Sequence, residues 1–187
     1  MVSNQIEAPL RKLMGPGPLE IHPRVYQALT TPIIGYLDPA YLKILDQVGD
    51  QLRKVFQTRN RATNAAPGTG TSGMEACVAN LIEPGDKILV CVHGYFGDRL
   101  RQMVERQEAE ITLITEEWGR PIDPQKVEAA MKANSFKVIT LVHAETSTGV
   151  LQPMDDIVKL ADKYGVMIIL DTVTSLGGVE VKMDEWG

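Results

Sequence analysis

The sequence predicts an α/β fold with a mainly parallel sheet and helices on both faces of the sheet. The first observation is that short apolar runs alternate with amphipathic stretches from residue 63 onward. The second is the run VMIIL at residues 166–170, which is apolar throughout, as is typical of a strand buried on both faces. Strict alternation of strands and helices implies βαβ crossovers and parallel neighbours. A chain of 187 residues is long enough for one substantial domain of this kind.

The individual elements follow from the periodicity of the apolar residues. Residues 1–22 form an N-terminal arm, in which MGPGP at 14–18 favours an irregular path. Helical periodicity then predicts helices at residues 39–57, 72–82, 96–107, 124–133 and 155–164. Apolar runs predict strands at residues 63–66, 87–92, 110–115, 137–143 and 166–170, with the last in a central position.

The composition excludes few classes of function but favours an ordinary globular protein. The net charge of −5 and scattered basic residues argue against nucleic acid and anionic membrane as partners. Cys77 and Cys91 lack metal or redox spacing, so we expect two buried free thiols and no metal site. The eight residues before Pro9 contain no apolar segment typical of a leader, and no run is long enough to span a bilayer, so we expect a cytoplasmic protein.

A glycine-rich turn, PGTGTSGME at 67–75, precedes the second predicted helix. Glycines let the backbone approach a ligand closely, and the free amides at a helix start favour a phosphate. The turn lacks the lysine of a P-loop and the full dinucleotide spacing, so a single phosphate suits it better. The alternative is a simple helix cap, with Thr71 or Ser72 as the capping residue and Glu75 completing a capping box.

Three further segments follow predicted strands and so reach the same edge of the sheet. HGYFG at 93–97 offers an aromatic face, although its aromatics could instead belong to the core. HAETSTG at 143–149 offers hydroxyls and a carboxylate, or only a hydrogen-bonded turn. Asp171 leaves a buried strand where ligands of open α/β sheets gather, and it suits a cationic ligand atom. For Asp171 the alternatives are a helix cap and a loop salt bridge.

Taken together, these segments resemble the class V, fold-type I aminotransferases that use pyridoxal 5′-phosphate, and particularly their alanine–glyoxylate and serine–pyruvate group. The resemblance covers nearly the whole chain in the family's order: MGPGP at 14–18, VFQTRN at 55–60, GTGTSGMEA at 68–76, EPGD at 83–86, GYFGDR at 94–99, ETSTGV at 145–150 and DTVTSLGG at 171–178. It implies a three-layer αβα fold, in which residues 23–187 are the N-terminal part of the family's large cofactor-binding domain.

The resemblance implies a role for particular residues at the phosphate and at the ring. Thr69, Gly70 and Thr71 would bind the cofactor phosphate at the start of the helix. Phe96 would stack on the pyridine ring, where relatives often carry tryptophan, and Tyr95 is the alternative.

The remaining roles implied by the resemblance concern the other face of the ring and its polar atoms. Val173 would cover the face opposite the aromatic residue, and Thr146 would hydrogen-bond the phenolic oxygen. Asp171 would be the catalytic partner of the pyridine nitrogen and keep that nitrogen protonated. Gly15 and Gly17 would line the substrate pocket.

Two features depart from the family pattern. Tyr36 stands where many relatives have histidine, which leaves the substrate preference open. The family's Schiff-base lysine would fall beyond Gly187, and Lys182 is too close to Asp171 to replace it. The rest of the large domain, and the small domain with the arginine that grips the substrate carboxylate, would also be absent. We therefore expect the chain alone to be inactive. Either it is a fragment of a longer protein, or a second polypeptide supplies the C-terminal part.

The activity that the resemblance implies is transfer of an amino group from alanine or serine to glyoxylate or pyruvate. The resemblance also implies that the intact enzyme is an obligate homodimer. One alternative is another class V activity, a cysteine desulfurase or selenocysteine lyase. A second is a non-catalytic chain that binds the cofactor or serves as an assembly partner. A nucleotide-binding domain is disfavoured, because no acid follows the glycine-rich turn at the ribose-binding distance.

Overall fold

A computed structural model describes residues 9–187 of the chain. Residue contacts divide the chain into two units, of which one ends at Leu42 and the other begins at Lys43. The described part of the first unit contains bends at 15–18, the helix α1 (Pro23–Leu29) and the start of α2 (Pro39–Phe56). Residues 1–8 of the predicted arm lie outside the described residues, and the arm as a whole remains a prediction.

The second unit alternates helices with strands after the end of α2. Its elements are α3 (Gly70–Leu81), β1 (Lys87–Val92), α4 (Tyr95–Glu105), β2 (Glu110–Thr115), α5 (Pro124–Ala133), β3 (Val138–Val142), β4 (Ala144–Glu145), β5 (Val150–Leu151), α6 (Asp155–Tyr164), β6 (Met167–Asp171) and α7 (Met183–Trp186).

The main sheet of the second unit has four strands in the order β2-β1-β3-β6. Each neighbouring pair in it is parallel, which confirms the predicted sheet type. The two short strands β4 and β5 pair antiparallel in a separate hairpin. Because parallel strands end at a common edge, the segments that follow β1, β3 and β6 all emerge on one side of the sheet.

Helices cover both faces of this sheet, as predicted. Along β1, Ile88 and Val90 belong to an apolar cluster that includes residues of α3 and α4. Leu89 and Cys91, which point the opposite way because side chains alternate along a strand, belong to a cluster with residues of α5 and α6. All four side chains are fully buried. The second unit is therefore a three-layer αβα arrangement.

The strand order places a topological switch between β1 and β3. The chain leaves β1 through α4 on one face to reach β2, and returns through α5 on the other face to reach β3. Two loops that leave a sheet in opposite directions open a crevice between them, and ligands of open α/β sheets bind in such crevices. The switch therefore fixes where a ligand site is expected.

Some predictions made from the sequence are wrong in detail. Residues 63–66 form no strand, because they carry little apolar surface and only Thr63 among them is half-buried. The strand β6 is at the edge of the four-stranded sheet, and Met167 is 49% exposed, so this strand is not central among the described residues. Cys77 is exposed on α3, whereas Cys91 is buried as predicted.

Candidate functional site

A cavity of about 140 Å³ lies at the carboxyl edge of the sheet. Its walls come from the start of α3, the start of α4 and the segments that follow β3 and β6. The lining residues are Gly70, Thr71, Met74, Phe96, Val142, Ala144, Thr146, Asp171, Val173 and Thr174. The structure thus brings together most of the residues that the sequence predicts to hold a cofactor.

Thr69 does not line the cavity but caps the helix that does. Its hydroxyl oxygen accepts a hydrogen bond from the Ser72 amide at 3.3 Å, and the Ser72 hydroxyl donates to the Thr69 carbonyl at 2.7 Å. The capping residue is therefore Thr69, and not Thr71 or Ser72 as the alternative reading of the turn expected. The helix consequently begins at Gly70, two positions before its predicted start.

The first amides of α3 remain available to a ligand. Among residues 9–187, the amides of Gly70 and Thr71 donate to no protein acceptor. Unpaired amides and the positive end of the helix dipole favour an anion at this position. Gly70 is also needed sterically, because a Cβ at that position would lie 2.8 Å from Cγ2 of Val173. The helix start and the segment after β6 therefore pack closely on one side of the cavity.

Asp171 places a carboxylate in the wall of the same cavity. The residue is 8% exposed, and its Oδ1 accepts a hydrogen bond from the Val173 amide at 2.9 Å. Burial raises the pKa of the Asp171 carboxyl, the Val173 amide opposes this rise, and the charge of Glu145 adds to it. No lysine or arginine nitrogen lies within 4.0 Å of the carboxylate in the described part of the chain. A cationic ligand atom would supply the missing counter-charge.

The backbone that carries Asp171 is held by β3 and by His143. In the ladder between β3 and β6, Val142 lies opposite Asp171, and the His143 amide donates to the Asp171 carbonyl at 2.8 Å. The His143 Nδ1 atom is 2.9 Å from the Ser175 hydroxyl, which donates to the Thr172 carbonyl. Burial lowers the pKa of His143, which favours its neutral form. The side chain therefore stabilises the loop after β6 without adding a charge.

The two aromatic residues after β1 have different surroundings. Phe96 is half-buried and lines the cavity, whereas Tyr95 is 51% exposed and lines a separate cavity near α4. Their rings meet edge to face, with centroids 5.2 Å apart. The geometry thus favours Phe96 over Tyr95 as the aromatic wall of the site.

Two threonine hydroxyl groups also belong to the wall of the cavity. The Thr146 hydroxyl, predicted to bind a ligand oxygen, forms a hydrogen bond with the Thr174 hydroxyl, and both residues line the cavity. Thr174 was not predicted from the sequence. Its position in DTVTSLGG, after a strand that ends in an acid, was the available signal.

Glu145 is the most deeply buried acid near the site, and its function was missed in the sequence. The residue is fully buried, and its carboxylate accepts hydrogen bonds from the amides of Phe96, Gly97 and Ser147. It therefore connects the loop after β3 to the first turn of α4. The available signal was a carboxylate among small polar residues in HAETSTG, shortly after a buried strand.

The predicted substrate-pocket residues belong to the other unit. Gly15 and Gly17 lie in the bends at 15–18, and Tyr36 lies in an exposed turn. Their roles remain predictions. In the described residues, no group of three or more histidine, cysteine, aspartate and glutamate side chains could hold a metal ion. Across residues 9–187, no helix is long and apolar enough to cross a membrane.

The chain is similar in sequence to one protein family and to members of that family. The family model Aminotransferase class-V matches residues 37–187. A (S)-ureidoglycine–glyoxylate transaminase from Bacillus subtilis is 39% identical over 95% of this chain and 43% of its own length. An alanine–glyoxylate aminotransferase from Drosophila melanogaster is 37% identical over 100% of this chain and 48% of its own length. This chain therefore spans about half the length of the curated relatives it matches.

Solved structures agree with the fold described above. The crystal structure of an alanine–glyoxylate aminotransferase from Nostoc sp. superimposes with a TM-score of 0.95 at 43% identity, over all of this chain and 50% of the other. The ureidoglycine–glyoxylate aminotransferase from Bacillus subtilis gives a TM-score of 0.95 at 38% identity, over 98% of this chain and 47% of the other. These superpositions confirm the predicted α/β fold class.

The raised pKa of Asp171 predicts how the stability of the protein depends on pH. An acid whose folded pKa exceeds its unfolded pKa binds more protons when folded. The free energy of unfolding therefore falls as pH rises from about 3.9 through the folded pKa. Asp171→Asn removes this effect, so urea denaturation should find the variant more stable than the parent at neutral pH. The difference should shrink as the pH is lowered toward about 3.9.

Asp184→Asn is the matched control, because it should change stability in the opposite direction. Hydrogen bonds from the Thr58 hydroxyl and the Arg59 amide lower the pKa of Asp184, so its charged form stabilises the fold at neutral pH. This substitution should therefore destabilise the protein at pH 7. If both substitutions destabilised the protein equally at that pH, the proposed cost of the Asp171 charge would be wrong.

Proposed function

This chain belongs to the class-V aminotransferase family, and we propose that it forms the cofactor-binding part of a transaminase that uses pyridoxal 5′-phosphate. The observation that carries the proposal is the carboxylate of Asp171, which is buried beside the cavity without a cation from the described protein. A protonated pyridine nitrogen is a cation of the right size and shape for such a position.

The residues around the cavity suit the three parts of this cofactor. Its phosphate requires anion donors, which the free amides of Gly70 and Thr71 offer at the start of α3. Its ring requires two apolar faces, which Phe96 and Val173 can provide. Its ring nitrogen requires an acid, which is Asp171. The donor set therefore fits the group.

When bound, the cofactor supplies an electron-accepting pyridinium ring. In the proposal, Asp171 holds a proton at the ring nitrogen, because its buried charge stabilises the protonated form of that nitrogen. Gly70 and Thr71 hold the phosphate at the start of the helix that Thr69 caps, and Thr146 hydrogen-bonds the phenolic oxygen. Because these residues contact different parts of the cofactor, together they would fix the orientation of its ring in the cavity.

The substrates and assembly of the intact protein are also part of the proposal. The names of the relatives support transfer of an amino group from alanine to glyoxylate. Serine as donor and pyruvate as acceptor are proposed from the sequence resemblance alone. The relative from Bacillus subtilis favours ureidoglycine as a second candidate donor. Gly15 and Gly17 would line the substrate pocket. The free cysteines are compatible with the proposed cytoplasmic location, and we propose a homodimer for the intact enzyme.

Two alternatives differ from this proposal in the chemistry that they require. A cysteine desulfurase from Escherichia coli shares the fold, with a TM-score of 0.64, but only 11% of the sequence, so it carries no argument for that activity. Burial raises the pKa of Cys91 to about 12, which makes this thiol a poor nucleophile. The other alternative is a chain that binds the cofactor without catalysis, or only assists assembly.

A pair of alanine substitutions tests the ring-binding role of Phe96. Phe96→Ala should raise the dissociation constant for pyridoxal 5′-phosphate about tenfold, because an aromatic stacking face contributes on the order of 1 kcal/mol beyond its buried area. Tyr95→Ala removes the neighbouring ring, which does not line the cavity, and should change the constant little. Titration followed by absorbance measures both. A larger effect at Tyr95 would reverse the assignment.

Turnover of the intact protein tests the proposed reaction. We expect glycine to form from glyoxylate when L-alanine is the donor, measured by amino acid analysis. L-serine, (S)-ureidoglycine and L-cysteine are tested in parallel. Sulfide released from cysteine, without glycine from any donor, would favour the desulfurase. Cofactor binding without any product would favour the non-catalytic chain.

A further inference from the structure

We propose that Glu145 is a positioning residue that holds Phe96 in place by capping helix α4 from another loop. This inference depends on the proposed function in one respect, which is that the Phe96 ring contacts the cofactor. Glu145 itself does not line the cavity. Its effect on the cofactor would therefore be exerted through the backbone that carries Phe96.

Helix α4 has no capping side chain of its own. Its N-cap residue is Gly94, which cannot provide a side-chain acceptor. The first amides of a helix need acceptors from outside the helix. Oε2 of Glu145 accepts from the amides of Phe96 and Gly97, both at 3.1 Å, and Oε1 lies 3.3 Å from the Phe96 amide. The cap that the local sequence lacks thus comes from residue 145.

Ser147 extends the same cap to the first residue of the helix. Its hydroxyl oxygen accepts from the Tyr95 amide at 3.0 Å and donates to Oε1 of Glu145 at 2.7 Å. The Ser147 amide also donates to Oε1, at 3.2 Å. The amides of Tyr95, Phe96 and Gly97 are therefore all paired through two side chains of the loop after β3.

The hydrogen-bond partners of the Glu145 side chain are all donors, so residue 145 needs a side chain that only accepts. All the groups that contact its two oxygens are amide N–H groups or the Ser147 hydroxyl, and these act as donors. An ionised carboxylate can only accept, and a negative charge is favoured at a helix N-terminus. A glutamine side chain would direct its NH₂ group at one of these donors. The chemistry of the cap therefore favours glutamate over its nearest isostere.

Steric fit and the turn of the chain both support this arrangement. A Cβ at Gly94 would collide with Cγ and Cδ of Glu145, so the glycine leaves the space that the carboxylate occupies. The Glu145 carbonyl accepts from the Gly149 amide at 2.8 Å, which closes the loop that presents the side chain. Glu145 thus connects the ends of β1 and β3 across the topological switch.

The consequence for the site is pre-organisation of the aromatic wall. Phe96 is the second residue of α4, where helix ends fray most easily. Hydrogen bonds at its amide fix the backbone before a ligand arrives, so less conformational entropy is lost on binding. A cap with a purely structural role would contribute to stability but would not act through the Phe96 ring.

A double-mutant cycle between Glu145 and Phe96 separates these two roles. The dissociation constant for pyridoxal 5′-phosphate is measured by titration for the parent, Glu145→Ala, Phe96→Ala and the double variant. Glu145→Ala should weaken binding about tenfold in the parent, because it leaves buried amides unpaired. In the Phe96→Ala background it should weaken binding less than about twofold, because the ring on which it acts is gone.

Two further variants control for folding and for general loss of a cap. Asp123 caps α5 by accepting from the Gln125 amide at 2.8 Å, so Asp123→Ala removes a helix cap outside the residues that line the cavity. It should lower stability without weakening cofactor binding. Glu145→Gln preserves the size of the side chain and keeps one acceptor oxygen. It should fold if Glu145→Ala does not, and should weaken binding severalfold.

Hydrogen exchange of the cofactor-free protein gives a reading that does not depend on the proposed function. The amides of Phe96 and Gly97 should exchange at least about tenfold faster in the Glu145 variants than in the parent or in Asp123→Ala. Unchanged exchange, or additive losses in the cycle, would overturn the positioning role. If the parent does not bind the cofactor, the proposed function fails, and the exchange rates alone decide whether Glu145 holds the turn.

Discussion

The buried carboxylate of Asp171 is the interaction on which the account of this site depends. A charge at 8% exposure without a cation from the described protein destabilises the fold, and the rise in its pKa reflects that cost. The surrounding structure nevertheless holds it firmly, through the Val173 amide and the ladder with β3. The buried charge of Asp171 lowers the stability of the free protein, yet its carboxylate is held in a fixed position beside a cavity. A bound cation would offset this loss of stability and so explain the arrangement.

The parallel sheet explains why the other components of the site lie near this carboxylate. Strands β1, β3 and β6 end at one edge, and the switch between β1 and β3 leaves room there for a ligand. The first turn of α4 follows β1 and Glu145 follows β3, and their hydrogen bonds join the two segments beside the cavity. The start of α3 completes the cavity, with Gly70 allowing contact with Val173. The site is therefore a consequence of strand order together with a few specific contacts.

Much of the fold could be predicted from the sequence, because apolar periodicity reports directly which face of an element is buried. The observed bounds of β1, β2, α5 and α6 are those predicted. The wrong predictions depend on tertiary partners that periodicity does not contain. Residues 63–66 pair with no strand of the sheet, and the cap of α4 comes from a residue 49 positions after Phe96. Asp171 and Phe96 were identifiable because one lies at the end of a strand and the other shortly after one, whereas the burial of Glu145 depends on how two segments pack.

The most direct test of the central claim is the ¹⁵N chemical shift of the pyridine nitrogen in labelled pyridoxal 5′-phosphate bound to this protein. If Asp171 pairs with that nitrogen, the shift should be that of a protonated ring at pH values where the free cofactor has lost this proton. Asp171→Asn should then return the shift to that of a neutral ring. A neutral nitrogen in the parent protein, with the cofactor bound, would contradict the role assigned to Asp171.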